Sequence, residues 1–65
     1  MTGKDAIKRL IREGWKLDRV EGSHHFMIKG RRNISIPVHG NKDLSKGIYH
    51  YIAKRAGWLP QRREK

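Results

Sequence analysis

The sequence contains no cysteine, so disulfide bonds and thiolate metal ligands are both excluded. It also has no apolar run near the roughly 20 residues that a membrane-spanning helix requires. The first segment, Met1 to Glu13, is polar and does not resemble the apolar core of a secretory signal. We therefore predict a cytoplasmic protein with no membrane association, whose small core is stable without covalent cross-links.

Acidic residues are scarce as well. Six Asp and Glu residues face sixteen Lys and Arg residues, which gives a formal net charge of +10. Six acids cannot pair with sixteen bases, so much of the surface carries unneutralised positive charge that indicates a polyanionic partner, with nucleic acid first. An anionic membrane is the weaker alternative, because the convincing amphipathic faces are needed for the core.

The length of 65 residues predicts one domain. A chain of this size buries only about 60% of the surface that its unfolded form exposes, which argues against a deep substrate cavity. We assign residues 1–60 to the domain and residues 61–65 to a basic, disordered tail, because the tail has nothing to bury.

Hydrophobic periodicity predicts five elements in the order helix, strand, strand, strand, helix. A capping box formed by Thr2 and Asp5 begins the first helix, which stops at Gly14. The three predicted strands cover Trp15–Val20, which we expect to be half-buried, His24–Lys29 and the alternating apolar positions between residues 34 and 38.

The second helix carries apolar residues from Leu44 to Ala56 and ends at Gly57. Pro37 places the third strand at an edge of the sheet or ends it. The simplest way to bury both apolar helix faces is against one side of the sheet. The fold class is therefore α+β, a three-stranded antiparallel sheet with both helices on one face and the other face open.

Strand alternation separates the two adjacent histidines. Side chains of His24, Phe26 and Ile28 share one side of the second strand, while His25 and Met27 share the other. We expect His24 on the helix-free side and His25 packed towards the helices, unless a bulge near Gly22 reverses the phase.

Four features lie along residues 4–57: Gly14-Trp15, Gly22-Ser23-His24, the segment from Ile36 to Lys42, and Gly47. Together they resemble the HicA toxin family. The resemblance implies a small ribonuclease, an mRNA interferase with a fold like the double-stranded-RNA-binding domain, neutralised by an antitoxin called HicB. It also implies that His24 is the catalytic residue.

The chemistry of an imidazole suits that role. RNA carries its own nucleophile, and cleavage needs a base for the 2′-hydroxyl and an acid for the leaving 5′-oxygen; imidazole can serve as either near neutral pH. This reaction requires no metal or other cofactor. Cations would stabilise the charge on the phosphoryl oxygens, and the candidates that would bind the RNA are Arg19, Lys29, Arg31 and Lys42.

An exposed apolar pair beside the histidine would also suit a protein partner. We expect the antitoxin to cover His24, Phe26 and Ile28, and the charge of the chain predicts that this partner is acidic. Phe26 has a second interpretation, because an exposed ring could stack on an unpaired base.

Other functions remain open. A non-catalytic module that binds double-stranded RNA fits the element order and charge, and a ribosomal or DNA-binding role is weaker because adjacent helices are absent. We expect no zinc site, because the four histidines lack ligand spacing. His25 is better interpreted as a core or hydrogen-bonding residue, His39 as a strand-end residue beside the RNA face, and His50 as partly exposed without a role. Ser23 lacks the base and oxyanion turn of a nucleophile.

Overall fold

The fold was analysed in a computed structural model, which describes residues 1–59. Two helices flank three strands in the predicted order. In chain order the elements are α1 (Gly3–Arg12), β1 (Lys16–Glu21), β2 (His24–Lys29), β3 (Arg32–Pro37) and α2 (Lys46–Ala56). The strands form one antiparallel sheet in the order β1-β2-β3. The predicted fold class is confirmed, and the architecture is that of a double-stranded-RNA-binding-like domain.

Helix α1 begins with the predicted capping box. The Thr2 hydroxyl accepts from the Asp5 amide at 3.1 Å, and the Asp5 carboxylate accepts from the Thr2 amide at 3.1 Å. The next residue, Gly3, packs directly against the end of β3. A methyl group at Gly3 would lie 2.5 Å from the Pro37 carbonyl oxygen, so the helix approaches the strand this closely only because the position has no side chain.

The hairpin between β1 and β2 turns through Gly22 and Ser23 alone. Gly22 has φ +60°, while no residue other than glycine has a positive φ within residues 1–59. A positive φ at only the first central position is the pattern of a II′ turn, which favours glycine there. This turn places His24 at the first position of β2, as predicted.

Strand β1 departs from its prediction. It starts one residue after Trp15, and all six of its residues are exposed, although the sequence predicts a half-buried strand. The register shifts between Leu17 and Arg19, which makes Asp18 the extra residue of a β-bulge. Leu17 and Val20 remain 48% and 47% exposed because β1 is an outer strand that the helices cover poorly.

Strand β3 lies at the other edge and ends at Pro37, as the proline predicts. It begins earlier than predicted, at Arg32, and Val38 follows the strand. Helix α2 runs beside this edge, where the Ser35 amide donates to the Tyr51 hydroxyl at 3.4 Å. Tyr51 therefore satisfies one backbone amide of this edge strand.

Helix α2 starts later than its apolar pattern predicts. The Ser45 side chain caps it by accepting from the Ile48 amide at 3.2 Å, so Leu44 precedes the helix. Gly57 ends it in a left-handed conformation, as predicted.

The core forms where both helices meet one side of the sheet. Met27, Ile34 and Ile36 are fully buried there. They cluster with buried residues of the helices and the first loop: Ala6, Leu10, Trp15 and Ile52. The predicted phase of β2 is therefore confirmed, since Met27 faces the helices and His24 faces away. Within residues 1–59, no helix is long and apolar enough to cross a membrane. The predicted disordered tail, residues 61–65, lies outside the described residues.

Candidate active site on the open face of the sheet

The side of the sheet opposite the helices, here called the open face, carries His24. His24 is exposed and is the first residue of β2. In the register of the sheet His24 pairs with Glu21 on β1 and with Pro37 on β3. Side chains paired in this way have Cβ atoms about 4.5–5.5 Å apart. A carboxylate and a proline ring therefore flank the histidine on either side.

The neighbouring histidine points the other way. His25 pairs with Val20 and Ile36 and is partly buried on the helix side. Its Nδ1 atom is buried without a hydrogen-bond partner among the described residues. The prediction that His25 packs towards the helices is confirmed. The two adjacent imidazoles therefore lie on opposite sides of the sheet.

Arg19 lies on the open face because of the bulge in β1. It pairs with Phe26, and its guanidinium lies over the Phe26 ring with 4.4 Å between Cζ and the ring centroid. Its Nε donates to the Glu21 carboxylate at 2.7 Å, and one terminal nitrogen donates to Asp18 at 3.2 Å. The hydrogen bond with Glu21, with a smaller contribution from Asp18, raises the pKa of Arg19.

This arrangement changes the view of Phe26. The sequence suggests an exposed ring that could stack on a base, but the Arg19 guanidinium occupies one ring face and Phe26 is partly buried. Ile28 is 37% exposed on the same face. The apolar surface beside His24 is therefore smaller than the sequence predicts.

The four cations predicted to bind RNA do not lie together. Lys29 and Arg31 lie at the end of β2 and in the turn after it. At about 3.3 Å per strand residue, Lys29 is about 16 Å along the strand from His24. Its side chain also belongs to the helix side, where Nζ donates to the Glu13 carbonyl at 2.8 Å. Arg19 is on the open face, so the His24 end of the sheet has Arg19 and, beyond Pro37, Lys42.

Lys42 belongs to the loop that joins β3 to α2. The loop from residue 39 to residue 45 lines a cavity of about 190 Å³ with Pro37 and the first turn of α2. The lining residues are Pro37, His39, Lys42, Asp43, Leu44, Ser45 and Ile48. Pro37 is shared: it pairs with His24 and also forms a wall of the cavity.

The loop is held in place by backbone contacts. The Lys42 amide donates to the His39 carbonyl at 3.0 Å, and the Leu44 amide donates to the Met1 carbonyl at 2.8 Å. Thr2 and Asp43 form an isolated β-bridge. The wall of the cavity is therefore tied to the segment that begins α1.

Sequence reasoning missed Glu21 as a neighbour of His24, and it missed the cavity. A two-residue turn at Gly22-Ser23 predicts that Glu21 pairs with His24, so this neighbour could have been found from the sequence. The cavity is formed by a strand end, a loop and a helix start, and no local sequence pattern indicates it. His50 is exposed on α2, and His39 is exposed in the cavity lining. In the described part of the chain no three His, Asp or Glu side chains are grouped as a metal site would need.

Comparison with known proteins identifies the family. The family model described as "HicA toxin of bacterial toxin-antitoxin" matches residues 3–58, which is most of the chain. The match includes every helix and strand described above. No curated protein matches the chain.

Proposed function

Because the chain belongs to the HicA toxin family of bacterial toxin–antitoxin systems, we propose that it is an endoribonuclease that cleaves messenger RNA in the cytoplasm, with His24 as general acid and base. The observation that carries the proposal is the position of His24. It follows the glycine turn of the family resemblance, and its side chain is exposed on the side of the sheet that the helices leave open.

The proposed reaction is a transfer of the phosphodiester within the RNA. The 2′-oxygen attacks the adjacent phosphorus, the bond from phosphorus to the 5′-oxygen breaks, and a cyclic phosphate and a 5′-hydroxyl result. His24 removes the proton of the 2′-hydroxyl as the P–O bond forms and, once protonated, supplies a proton to the departing 5′-oxygen, with water completing whichever transfer lies out of its reach. Proton transfer by one imidazole contributes about 10² to 10⁴-fold.

The net charge of the chain supports binding of a polyanion. The formal charge of +10 attracts RNA over the whole surface, and Lys42 supplies a cation beyond the neighbouring Pro37. Arg19 is already paired with Glu21 and Asp18. We therefore propose that Arg19 mainly holds the side chains of the open face in place and contributes less to neutralising the phosphate charge. Arg31, in the turn after β2, is suited to a phosphate several nucleotides away, whereas the Lys29 ammonium is on the helix side and donates to the Glu13 carbonyl.

Cleavage of an end-labelled single-stranded RNA by purified protein in excess EDTA tests this proposal. The comparison is wild type against His24→Ala, with His25→Ala as the matched control because it removes the adjacent imidazole from the opposite side of the sheet. Circular dichroism checks the fold of each variant. We expect His24→Ala to lose at least 100-fold in rate while His25→Ala, where folded, stays within a few-fold of wild type.

The alternative function is a non-catalytic RNA-binding module of the same fold. If wild type and His24→Ala bind RNA equally and neither cuts it, that function replaces the proposed one. Equal cutting by both proteins would remove His24 from the mechanism and leave His39, exposed near the same end of the sheet, as the next imidazole to test.

We further propose that an acidic HicB-type antitoxin inhibits the protein by covering His24, Phe26 and Ile28. The exposure of Ile28 and its position on the same strand face as His24 support this docking surface. Titration of the cognate antitoxin against Ile28→Asp and Ile11→Asp tests it, because Ile11 is 53% exposed on α1 and serves as the control. The Ile28 variant should lose affinity at least tenfold. A larger loss for Ile11→Asp would place the antitoxin on the other side of the molecule.

A further inference from the structure

The cavity between Pro37, the loop after β3 and the start of α2 is not used by the mechanism above. We propose that it binds one unpaired nucleobase of the RNA, next to the phosphodiester whose cleavage His24 catalyses. This inference rests on the proposed ribonuclease function and adds a site that selects where the strand is held.

The size and walls of the cavity suit a single base. Its volume of about 190 Å³ is several times that of a water molecule and lies below the roughly 300 Å³ at which pockets for drug-sized ligands begin. Pro37, Leu44 and Ile48 provide apolar walls, and Leu44 and Ile48 also pack against the core, which makes those walls rigid.

The polar groups of the cavity are those that recognise an unstacked base. The His39 imidazole is an exposed ring on which a base can stack, and Lys42 offers a donor to the edge of that base. Asp43 Oδ1 lies 3.5 Å from the N-terminal ammonium of Met1, so the other carboxylate oxygen is the acceptor offered to the base. Lys42 also attracts the phosphate that accompanies the base. An aliphatic ligand would use the walls but not this combination of ring, cation and carboxylate.

The position of the cavity links it to the reaction. Pro37 pairs with His24 across β2 and β3, so the cavity begins one strand spacing, about 4.8 Å, from the strand that carries the histidine. We therefore place the phosphate of a base held there on the His24 side of Pro37, where the RNA strand would pass from the cavity to the open face. Holding the base would thereby orient the neighbouring 2′-hydroxyl and phosphate for the reaction, with Lys42 as the cation of the site.

A double-mutant cycle tests the inference. The substrate is a 2′-O-methyl oligonucleotide with a single ribonucleotide, so that only one linkage has a nucleophilic 2′-hydroxyl. In matched substrates the base at the ribonucleotide or at the following position is replaced by an abasic unit. We expect the missing base to lower kcat/KM of wild type about tenfold at one of the two positions, the scale of base stacking on protein side chains.

The variants His39→Ala and Ile48→Phe remove the stacking ring and fill the cavity, respectively. Each should lower cleavage of the intact substrate and abolish the difference between intact and abasic substrates. His50→Ala, an exposed histidine of α2 outside the cavity, should keep the full tenfold difference. A catalytic role for His39 would lower both substrates equally and leave the difference intact, which would contradict a role for His39 in the pocket.

Two results would overturn the base pocket. One is a wild type that cleaves intact and abasic substrates equally at both positions, and the other is an abasic penalty that survives in His39→Ala and Ile48→Phe alike. If wild type cleaves nothing, the ribonuclease function fails and the same cycle is measured as Kd by fluorescence anisotropy. In that case the base pocket is supported if the abasic substitution weakens binding to wild type tenfold but not binding to the two cavity variants. It is contradicted if the loss of affinity is the same in all three proteins.

Discussion

The Trp58 indole Nε1 donates to the Glu13 carboxylate at 2.6 Å, which joins the C-terminal cap of α1 to the second residue after α2, across 45 positions of sequence. Arg9 strengthens the same junction, because it donates to the other Glu13 oxygen at 3.1 Å and its Cζ lies 4.1 Å from the Trp58 ring centroid. Both helices are thus fastened at the end of the core farthest from the cavity.

Trp58→Phe should weaken this junction while keeping the ring. The lost hydrogen bond to a charged, partly exposed acceptor is worth about 1 kcal/mol of unfolding free energy. Urea denaturation monitored by circular dichroism measures it. In the Glu13→Gln background the same tryptophan substitution should cost less, and an undiminished cost would show that the ring and not the hydrogen bond carries the effect.

Acid should destabilise the protein through the same carboxylate. The hydrogen bond from Trp58, followed by the interactions with Arg9, lowers the pKa of Glu13 below its ordinary value of 4.5. A group with a lowered folded-state pKa stabilises the fold above its unfolded-state value and loses that stabilisation as pH falls through the folded-state pKa. We therefore expect the urea concentration at the unfolding midpoint to decrease as the pH is lowered below about 4.5. The Glu13→Gln variant should show a weaker dependence of this midpoint on pH.

Asp5 should add to the acid sensitivity in the same direction. Its hydrogen bonds with Thr2 lower its pKa, the bond from the Thr2 backbone amide contributing most. A residual fall in stability at low pH in Glu13→Gln is assigned to Asp5 if it disappears in the double variant with Asp5→Asn. Persistence of the full fall in the double variant would contradict both assignments.

Core packing gives a second pair of contrasting variants. Leu10 is 0% exposed, whereas the next residue, Ile11, is 53% exposed on the same helix. Leu10→Ala should cost about 2–5 kcal/mol, which is a large part of the total stability of so small a domain. Ile11→Ala should change it by about 0.5 kcal/mol or less. Thermal denaturation distinguishes them, and equal losses would contradict the burial described here.

Two glycines should respond oppositely to alanine. Gly3→Ala pushes a methyl group against the Pro37 carbonyl and should destabilise the protein, because backbone atoms on both sides must shift. Gly47 lies in the first turn of α2 with open space around it, so Gly47→Ala should stabilise the protein by up to about 1 kcal/mol. Differential scanning calorimetry of the two variants should show shifts of Tm in opposite directions.

The positions of the cations predict a difference between binding and catalysis. Lys42→Gln and Arg31→Gln each remove one positive charge, so both should reduce the salt dependence of RNA affinity, by a slope of about 0.7–1. Only Lys42 lies in the cavity beyond Pro37, so only its loss should lower kcat, by roughly tenfold. Single-turnover cleavage at saturating protein separates the two effects, and an equal fall in kcat would show that distance from His24 does not rank these residues.

The sequence predicts those features that depend on local chemistry. The Thr2 capping box, the turn at Gly22, the phase of β2 and the stop at Gly57 each depend on a few neighbouring residues, and each is confirmed. The alternation around Met27 is clear because that strand is central and buried on one side.

Features that depend on distant contacts were not predictable in this way. The exposure of Leu17 follows from how far two helices extend across an edge strand, and the bulge at Asp18 has no clear local signal. The partial cover of Phe26 depends on Arg19, which only the bulge brings to that face. The ranking of the four cations required the three-dimensional positions of their elements.

The bulge also determines where the chain can change in length. Asp18 is the unpaired extra residue between the Leu17–Met27 and Arg19–Phe26 pairs, so removing it alone would leave every other side chain of β1 on its present side of the sheet. Removing a paired residue such as Val20 would instead turn the side chains on one side of the deletion to the opposite face of the sheet. A single-residue deletion is therefore compatible with the fold at one position of this strand, and it would leave Arg19 and Glu21 on the side of the sheet that carries His24.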